Sequence, residues 1–193
     1  MILEIAKASD ITEATVKETL KLPKFLNDLE SVTLQDSLLP VISDRETTPV
    51  TYIITRNECL EGDEHPISGV PFERKIVVQD NGEIMEGVFP VFNSAFDAKI
   101  PSELYLESDY KQFKECNTQL LDYLKENPKV KELFSEEQLE QIKDGTKDGS
   151  APDGYVWHHK EESGVIQLVK YDDHAYTGHT GGRSIWGGGH ENR

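Results

Sequence analysis

Two short runs of β-branched and aromatic residues stand out near the C-terminus of the chain. Residues 155–159 (Y-V-W-H-H) and residues 165–170 (V-I-Q-L-V-K) have the composition and length of strands. Between them, Glu162-Ser163-Gly164 supplies turn-forming residues, and Asp172-Asp173 can then cap a short helix that carries His174. The pattern predicts a strand, a second strand and a helix in direct succession.

Strand-like patterns also occur farther upstream. Residues 51–55 (T-Y-I-I-T) predict a strand. Residues 75–79 and 84–89 predict a β-hairpin, because Asn81-Gly82 between them is the strongest two-residue hairpin signal. We therefore expect a hairpin in the half of the chain that precedes the C-terminal strands.

Helical periodicity dominates the segment between the hairpin and the C-terminal strands. Residues 108–126 predict an amphipathic helix whose apolar face carries Tyr110, Phe113, Leu120, Leu121 and Leu124. Ser135-Glu136-Glu137-Gln138 fits a capping box and opens a helix that we expect to stop near Gly145. Residues 144–153, rich in Gly, Asp, Lys and Ser, predict a flexible connector to the strands.

The organisation predicted from these patterns is an α+β protein with three regions. Residues 1–55 form a helical or irregular region, in which residues 10–30 predict one or two helices interrupted at Pro23. Residues 56–150 hold the hairpin and the helices, and residues 151–193 hold the C-terminal strands and short helix. A chain of 193 residues is long enough for one domain with a sizeable core and a small appendage.

Composition and charge narrow the possible partners. The chain has 20 basic and 36 acidic residues and a net charge of −16, whereas proteins that bind nucleic acid usually present basic surface. The acidity is concentrated upstream, since residues 151–193 hold 4 basic and 6 acidic residues. Net charge bears on association and not on fold, so it leaves open whether the acidic part faces away from a substrate.

Membrane insertion and disulfide formation find no support in the sequence. No apolar run approaches the length that spans a bilayer, and residues 1–9 lack the basic-then-apolar layout of a signal peptide. We therefore expect no membrane partner, and either a cytoplasmic protein or one delivered into a target cell. Cys59 and Cys116 have no metal-site spacing, and we expect two reduced thiols.

Histidine is the residue type that points to chemistry, because five of the six histidines fall within residues 158–193. Neighbouring residues on a strand point to opposite faces, so His158 and His159 cannot both be ordinary ligands of one ion. His174 and His179 do not share one face of an ideal helix, but a break at Gly178 would let both converge. Three imidazoles suit Zn, Ni or Cu, whereas Mg and Mn prefer oxygen ligands.

An ordered set of four short blocks near the C-terminus resembles the HNH/Endonuclease VII superfamily, in its branch with a Trp-His-His signature. The blocks are Trp157-His158-His159, Gln167-Leu168-Val169, His174 and His179-Thr180-Gly181-Gly182. That branch includes the nuclease domains of colicin-like bacteriocins and C-terminal domains of secreted polymorphic toxins. Further blocks resemble the region that precedes the motif in those toxins, so the resemblance covers roughly residues 56–193. They are His65-Pro66, Gly69-Val70-Pro71-Phe72-Glu73, Gly87-Val88-Phe89-Pro90, Leu104-Tyr105-Leu106 and Lys111-Gln112-Phe113-Lys114.

The resemblance implies a ββα-metal (His-Me finger) nuclease core and a role for each histidine. His158, His174 and His179 would hold one divalent metal ion, either Mg, Mn, Ni or Zn, with Zn possible as a tight occupant that is not the working cofactor. His159 would be the general base that deprotonates a water molecule. An imidazole is well matched to that task near neutral pH, and a metal ion supplies positive charge against the reacting phosphate.

Three further residues near the histidines have expected supporting roles. Gln167 stands where the motif has its central residue, and we expect its amide to hold the loop between the strands through backbone hydrogen bonds. We expect Trp157 to be a core anchor beneath the site and not a nucleic-acid contact. Arg183 can bind a phosphate through its planar fork, and an ordinary surface arginine is nearly as plausible an interpretation.

The favoured function is a metal-dependent endonuclease that cleaves DNA with low sequence specificity, as a bacterial toxin effector or a close relative. The resemblance also implies a cognate immunity protein, because such a nuclease endangers the cell that makes it. Two alternatives remain open at this stage. One is an RNase on the same scaffold, because nothing in the motif recognises the sugar. The other is a non-catalytic acidic binding protein in which the histidines hold a structural zinc.

Overall fold

The computed structural model describes residues 49–192. All described residues belong to one compact unit, Glu46–Arg193. The helices expected over residues 10–30 lie outside the described residues, and so does most of the region assigned to residues 1–55. The proposed boundaries after residues 55 and 150 stay predictions.

The first of two small sheets contains the predicted hairpin. Strands β1 (Val50–Tyr52), β2 (Phe72–Val78) and β3 (Ile84–Pro90) are arranged in the order β1-β3-β2, with β2 antiparallel and β1 parallel to β3. The hairpin is confirmed, but its loop is longer than two residues, because the N–H of Gln79 donates to the carbonyl of Glu83 at 2.8 Å. Gly82 takes a positive φ of 84° in this loop, which glycine adopts without steric cost.

Strand β1 is shorter than residues 51–55, because the chain turns inward after Tyr52. The hydroxyl of Thr55 is buried and donates to the carbonyl of Val88 at 2.6 Å, and a 3-10 helix then occupies Glu58–Leu60. After this turn the chain runs beside the start of β2, where the N–H of Gly62 donates to the carbonyl of Phe72 at 2.9 Å.

The helix predicted over residues 108–126 is confirmed as α1 (Asp109–Glu126), which is followed by α2 (Pro128–Lys131) and α3 (Glu136–Asp148). The expected apolar face was wrong at its first position, since the side chain of Tyr110 is 52 % exposed. The buried residues of α1 include two polar amides, and they are Gln112, Cys116, Asn117, Leu120 and Leu124.

The capping box at the start of α3 is confirmed, because Ser135 and Gln138 exchange both side-chain-to-backbone bonds. The expected stop near Gly145 is wrong, and so is the connector from residue 144, since the helix continues to Asp148 and Gly149 caps it with a φ of 75°. A Cβ on Gly145 would lie 2.4 Å from the carbonyl oxygen of Ser150 and 2.7 Å from the Asn117 amide. This glycine therefore serves close packing against α1 and does not terminate the helix.

The second sheet and the helix after it form the C-terminal ββα arrangement. Strands β4 (Ser94–Lys99), β5 (Tyr155–His159) and β6 (Val165–Lys170) lie in the antiparallel order β4-β6-β5, and α4 (Tyr171–Tyr176) follows β6 directly. Asp172 and Asp173 lie in the first turn of α4 and are not its cap, which is Lys170. The predicted strands and helix are present, and the α+β class is confirmed.

The main core lies between this second sheet and the helices. Trp157, Ile166 and Leu168 of the sheet pack in one buried cluster with residues of α1 and α3 such as Leu120 and Ile142. The side chain of Trp157 is only 3 % exposed, which agrees with its expected role as a core anchor. The sheet is thereby fixed against α1, and this contact sets the position of the histidines that follow Trp157.

The described residues include both cysteines and all the helices that can be tested for membrane-spanning length. Both cysteines are free, with Cys59 exposed and Cys116 buried, as expected for reduced thiols. Within residues 49–192, no helix has the length and hydropathy needed to cross a lipid bilayer.

Candidate metal centre and adjacent histidine

Three histidines from separate elements converge at the end of the second sheet. His158 lies on β5, His174 on α4 and His179 in the loop that follows α4, and one ring nitrogen from each lies within 4.8 Å of the others. His158 Nδ1 and His179 Nε2 are 3.2 Å apart. Two nitrogens bound to one tetrahedral zinc-like ion at about 2.0–2.1 Å would be separated by roughly 3.3 Å. The donor set therefore fits a single divalent ion.

The orientation of His179 is fixed by its backbone partner. Its Nδ1 lies 2.7 Å from the carbonyl oxygen of Thr177, which can only accept, so Nδ1 donates and Nε2 keeps its lone pair. Thr177 is itself buried, and its hydroxyl lies 2.6 Å from the carbonyl of Asp173 and 2.5 Å from the hydroxyl of Ser68. Such outer contacts commonly orient metal-binding histidines.

An aromatic side chain from outside the predicted motif closes one side of the cluster. The ring of Phe92 lies 4.8 Å from the ring of His158, 5.6 Å from that of His174 and 5.3 Å from that of His179. Phe92 packs with Val70 and Val169 in a second small core. The histidine cluster thus has an apolar wall.

Burial keeps two of these imidazoles, those of His158 and His179, in the form that binds metal. Loss of solvation lowers the pKa of His158 well below its usual range, and the nearby His179 and His174 lower it further. Burial also lowers the pKa of His179, although its hydrogen bond to Thr177 opposes the shift. Both rings are therefore neutral at neutral pH, as metal ligation requires.

His159, the neighbour of His158, has different partners, as strand alternation predicts. Its Nε2 lies 2.6 Å from Oε1 of Gln112 and 3.8 Å from Oδ1 of Asp109, both on α1. The rings of Phe113 and Trp186 lie 5.4 Å and 5.5 Å from its ring. Sequence reasoning gave no role to Gln112 or Asp109, although Gln112 belongs to one of the blocks that carry the resemblance.

All four histidines line the same cleft, whose volume is about 340 Å³. The cleft is bordered by β5, the start of α1, and the segment from His174 to Ser184. Its lining residues are Asp109, Phe113, Val156, Trp157, His158, His159, His174, His179, Gly181, Arg183 and Ser184. The arrangement places a cluster able to hold an ion next to a separate imidazole that can accept a proton.

Gln167 does not hold the loop between the strands, contrary to expectation. It pairs with His158 in the strand register, and its amide donates to both carboxylate oxygens of Asp97 on β4, at 3.1 and 3.2 Å. The loop is held by its own backbone, through Lys160 N–H to the carbonyl of Val165 at 2.9 Å, and by Gln79, whose amide donates to the carbonyl of Glu161 at 2.9 Å. Gln167 therefore ties β6 to β4 at the position that pairs with His158 on β5.

Arg183 is not a surface arginine, since its side chain is 4 % exposed. Its Nε lies 3.3 Å from Oδ1 of Asp109, and its Nη2 donates to the carbonyls of Glu107, at 3.0 Å, and Asn192. The guanidinium thus joins α5 (Gly182–Ile185) to the start of α1 beside His159.

Arg56, which lies in the turn after β1, reaches the histidine cluster, and sequence patterns gave no sign of it. A Cβ on Gly178 would lie 2.7 Å from Cζ of Arg56, so the guanidinium packs against the backbone of that glycine. The Arg56 N–H donates to the hydroxyl of Thr180 at 2.9 Å, and Asn57 donates its amide to the carbonyl of Gly178 at 2.6 Å. Within residues 49–192, no carboxylate or carbonyl is paired with this guanidinium.

Comparison with known proteins places this geometry in a family. The profile described as the DNase/tRNase domain of colicin-like bacteriocin matches residues 81–181, just over half of the chain. The match runs from the hairpin loop to the residues after His179 and includes every histidine of the cleft. No curated protein and no solved structure matches the chain. The chain therefore belongs to the family of DNase/tRNase domains of colicin-like bacteriocins.

Proposed function

We propose that the protein is a metal-dependent HNH endonuclease that hydrolyses phosphodiester bonds in DNA with low sequence specificity, as a bacterial toxin effector or a close relative. The observation that carries the proposal is the combination of three convergent imidazoles and a fourth, His159, in the same cleft. A structural zinc would account for the first three histidines only. A structural zinc gives no reason for His159, a buried histidine with separate polar partners, to lie beside the other three.

The four histidines divide the chemistry between them. His158, His174 and His179 hold one divalent ion, which when bound supplies positive charge against the phosphate and the leaving oxygen. His159 takes the proton of the attacking water, a step in which an imidazole is effective near neutral pH. Three nitrogen ligands favour Zn or Ni over Mg or Mn, so the test has to include each of these ions.

Arg56 is the best-placed residue to contact a phosphate oxygen. Its guanidinium lies against Gly178 in the loop between His174 and His179, and its planar fork matches a phosphate. Arg183, the residue singled out from the sequence for this role, instead makes its contacts with Asp109 and backbone carbonyls. We assign Arg183 to holding α1 and α5 together at the edge of the cleft.

The charges around the cleft favour a weakly selective enzyme. Lys160 pairs with Glu162 at 2.8 Å, and Lys75 pairs with Glu161 at 2.6 Å, so few cations are left for the substrate backbone. Few phosphate contacts predict a shallow dependence of binding on salt. Such contacts carry no base information, which predicts little sequence preference.

The proposed partners are a nucleic acid and a cognate immunity protein. Because the chain carries a net charge of −16, charge complementarity predicts a basic contact surface on the immunity protein. Such a partner could engage the acidic residues upstream of the motif without contacting the histidines.

The test is cleavage of supercoiled plasmid and of matched DNA and RNA oligonucleotides by metal-stripped protein. Mg, Mn, Ni and Zn are added separately across a salt series, and His159→Ala is the inactive control. We expect metal-dependent nicking of the plasmid by the wild type only. Cleavage of RNA alone would establish the RNase alternative, and tight zinc binding without cleavage of either substrate would establish a structural zinc protein.

A further inference from the structure

Strand β2 is an edge strand of the first sheet, with β3 on one side along its whole length. In an antiparallel pair, alternate residues turn their backbone groups to opposite sides of the strand. The N–H and carbonyl of Phe72 face the outer side, where the loop over residues 61–64 binds them. Arg74, Ile76 and Val78 have the same parity, so their backbone groups face the outer side too. Within residues 49–192, no strand or loop is paired with β2 beyond Phe72 on that side.

The charged side chains of β2 do not protect this edge against a second strand. Edge strands are commonly protected by unpaired charges, proline or a bulge. Lys75 is turned to the opposite face and binds Glu161 at 2.6 Å. Arg74 is drawn across the sheet, with Nη1 2.8 Å from Glu86 and Cζ 5.6 Å from the centre of the Tyr52 ring. Residues 74–78 contain no proline and pair with β3 without a bulge.

The outward face of this edge is apolar. The side chains of Ile76 and Val78 are 66 % and 64 % exposed. They share a face of the sheet with Val50 and Tyr52 of β1, which are half exposed, because all four belong to paired positions across β3. An apolar sheet face beside an open strand edge is the kind of surface that binds a further strand.

We propose that β2 pairs antiparallel with β2 of a second copy of this chain, about a two-fold axis at Ile76. Ile76 then lies opposite the partner's Ile76, and Arg74 lies opposite the partner's Val78. The outward N–H and C=O groups of Arg74, Ile76 and Val78 are all paired in both copies. Such a contact uses the same surface on both copies and closes as a dimer.

Other registers of the same edge are less favourable. An axis at Lys75 or Arg74 places that side chain opposite its own copy, and like charges directly opposite each other destabilise a strand pair. A shift of the axis toward the other end of β2 requires the N–H of Asp80, which already donates to the hydroxyl of Ser163 at 3.3 Å. Among these registers, the axis at Ile76 is the one that pairs all the edge groups without opposing like charges.

The charge of the chain makes the dimer dependent on salt in an unusual direction. Two copies repel at long range, because each carries a net charge of −16. The edge itself is not acidic, since the charged residues of β2 are Glu73, Arg74 and Lys75. The Debye length falls from about 10 Å at about 0.1 M salt to about 3 Å at about 1 M, so the dimer should tighten at least about threefold between them. A dimer held by ion pairs would weaken.

The first test is sedimentation equilibrium of the full chain at both salt concentrations, from about 1 to about 100 µM protein. We expect a weak dimer, because a contact along one short strand is smaller than a standard interface. Ile76→Lys places like charges on the axis and should weaken the dimer at least about tenfold. Leu133→Lys is the matched control, because Leu133 is also 66 % exposed but lies in the turn before α3, and it should dimerise as the wild type does.

A charge exchange at the axis tests the register itself. Ile76→Lys and Ile76→Glu should each be monomeric alone and should form a mixed dimer when combined, because opposite charges then face each other. A wild type that stays monomeric at both salt concentrations, a dimer that weakens with salt, or an Ile76→Lys protein that dimerises like the wild type would overturn the proposal. A mixture that stays monomeric would do the same.

Cysteine cross-linking gives a second measurement that does not depend on charge, in protein carrying Cys59→Ser. Ile76→Cys should form a disulfide-linked dimer, because the opposing Cα atoms would be about 5.5 Å apart, within the reach of a disulfide. Val78→Cys should not, because four residues of strand separate it from its own copy by about 14 Å. The opposite pattern would refute the register. Neither assay uses cleavage, and β2 does not line the histidine cleft, so the outcome is independent of the proposed function.

Discussion

Alanine substitution of the two neighbouring histidines should separate metal binding from proton transfer. His159→Ala removes the proposed base and leaves the three-nitrogen cluster in place, so zinc affinity should stay close to that of the wild type. Turnover should fall about 10²–10⁴-fold, the usual contribution of general-base assistance. His158→Ala removes one of the three donors and should weaken zinc binding and turnover together.

The same two substitutions should also change the free energy of unfolding, by amounts that follow from the contacts of the His159 and His158 rings. His159→Ala leaves the buried Oε1 of Gln112 without its partner, which costs about 1–3 kcal/mol. For a unit of this size, Tm should fall by about 2–4 °C for each kcal/mol. Zinc at about 100 times its Kd should add about 2.7 kcal/mol to the wild type and to His159→Ala, and much less to His158→Ala.

Zinc affinity is measured by calorimetric titration, and stability by thermal unfolding with and without zinc. Turnover is measured by plasmid nicking at saturating metal. The expected pattern is a stable metal-binding protein without turnover for His159→Ala, and a protein without zinc-dependent stabilisation for His158→Ala. Equal loss of zinc affinity in the two variants would show that the division of roles is wrong.

Three other predictions concern stability, each measured by urea unfolding. The metal-free protein should lose stability as pH falls through about 6.5, because burial lowers the pKa values of His158 and His179 in the folded state. The unfolded chain then binds more protons than the folded protein. A free energy of unfolding that stays constant between about pH 8 and about pH 5.5 would contradict this. Gly182→Ala should destabilise by about 1–3 kcal/mol or more, because its Cβ would lie 1.8 Å from the carbonyl oxygen of Lys160, and an unchanged midpoint would disprove the close contact. Ser135→Ala should cost about 1 kcal/mol through loss of the capping box and leave cleavage unchanged, whereas a loss of cleavage would connect α3 to the site.

The sequence predicts best where local chemistry alone decides the structure. Strands β5 and β6 coincide with residues 155–159 and 165–170, because β-branched and aromatic runs there are bounded by turn-forming residues. The capping box of α3 is equally local. The separation of His158 from His159 follows from strand alternation, which holds for any paired strand.

Predictions that depend on distant partners were the ones that failed. Gly145 looks like a helix stop in the sequence, but its role is to admit Asn117 of another helix. Tyr110 has the right period for the buried face, but its hydroxyl donates to the carbonyl of Lys147 on α3 at 2.9 Å and its side chain stays exposed. Arg56 meets Thr180 across 124 residues of sequence, and no periodicity or spacing reports such a contact.

The wall that Phe92 forms against the three histidines limits how this nuclease can be recombined with other proteins. A chimera that grafts only residues 151–193 onto a foreign scaffold would keep His158, His174 and His179 and lose the ring against which they pack. It would also lose β4, which leaves β6 as an unpaired edge open to aggregation. A graft that keeps both sheets must therefore begin upstream of Val50, the first residue of β1.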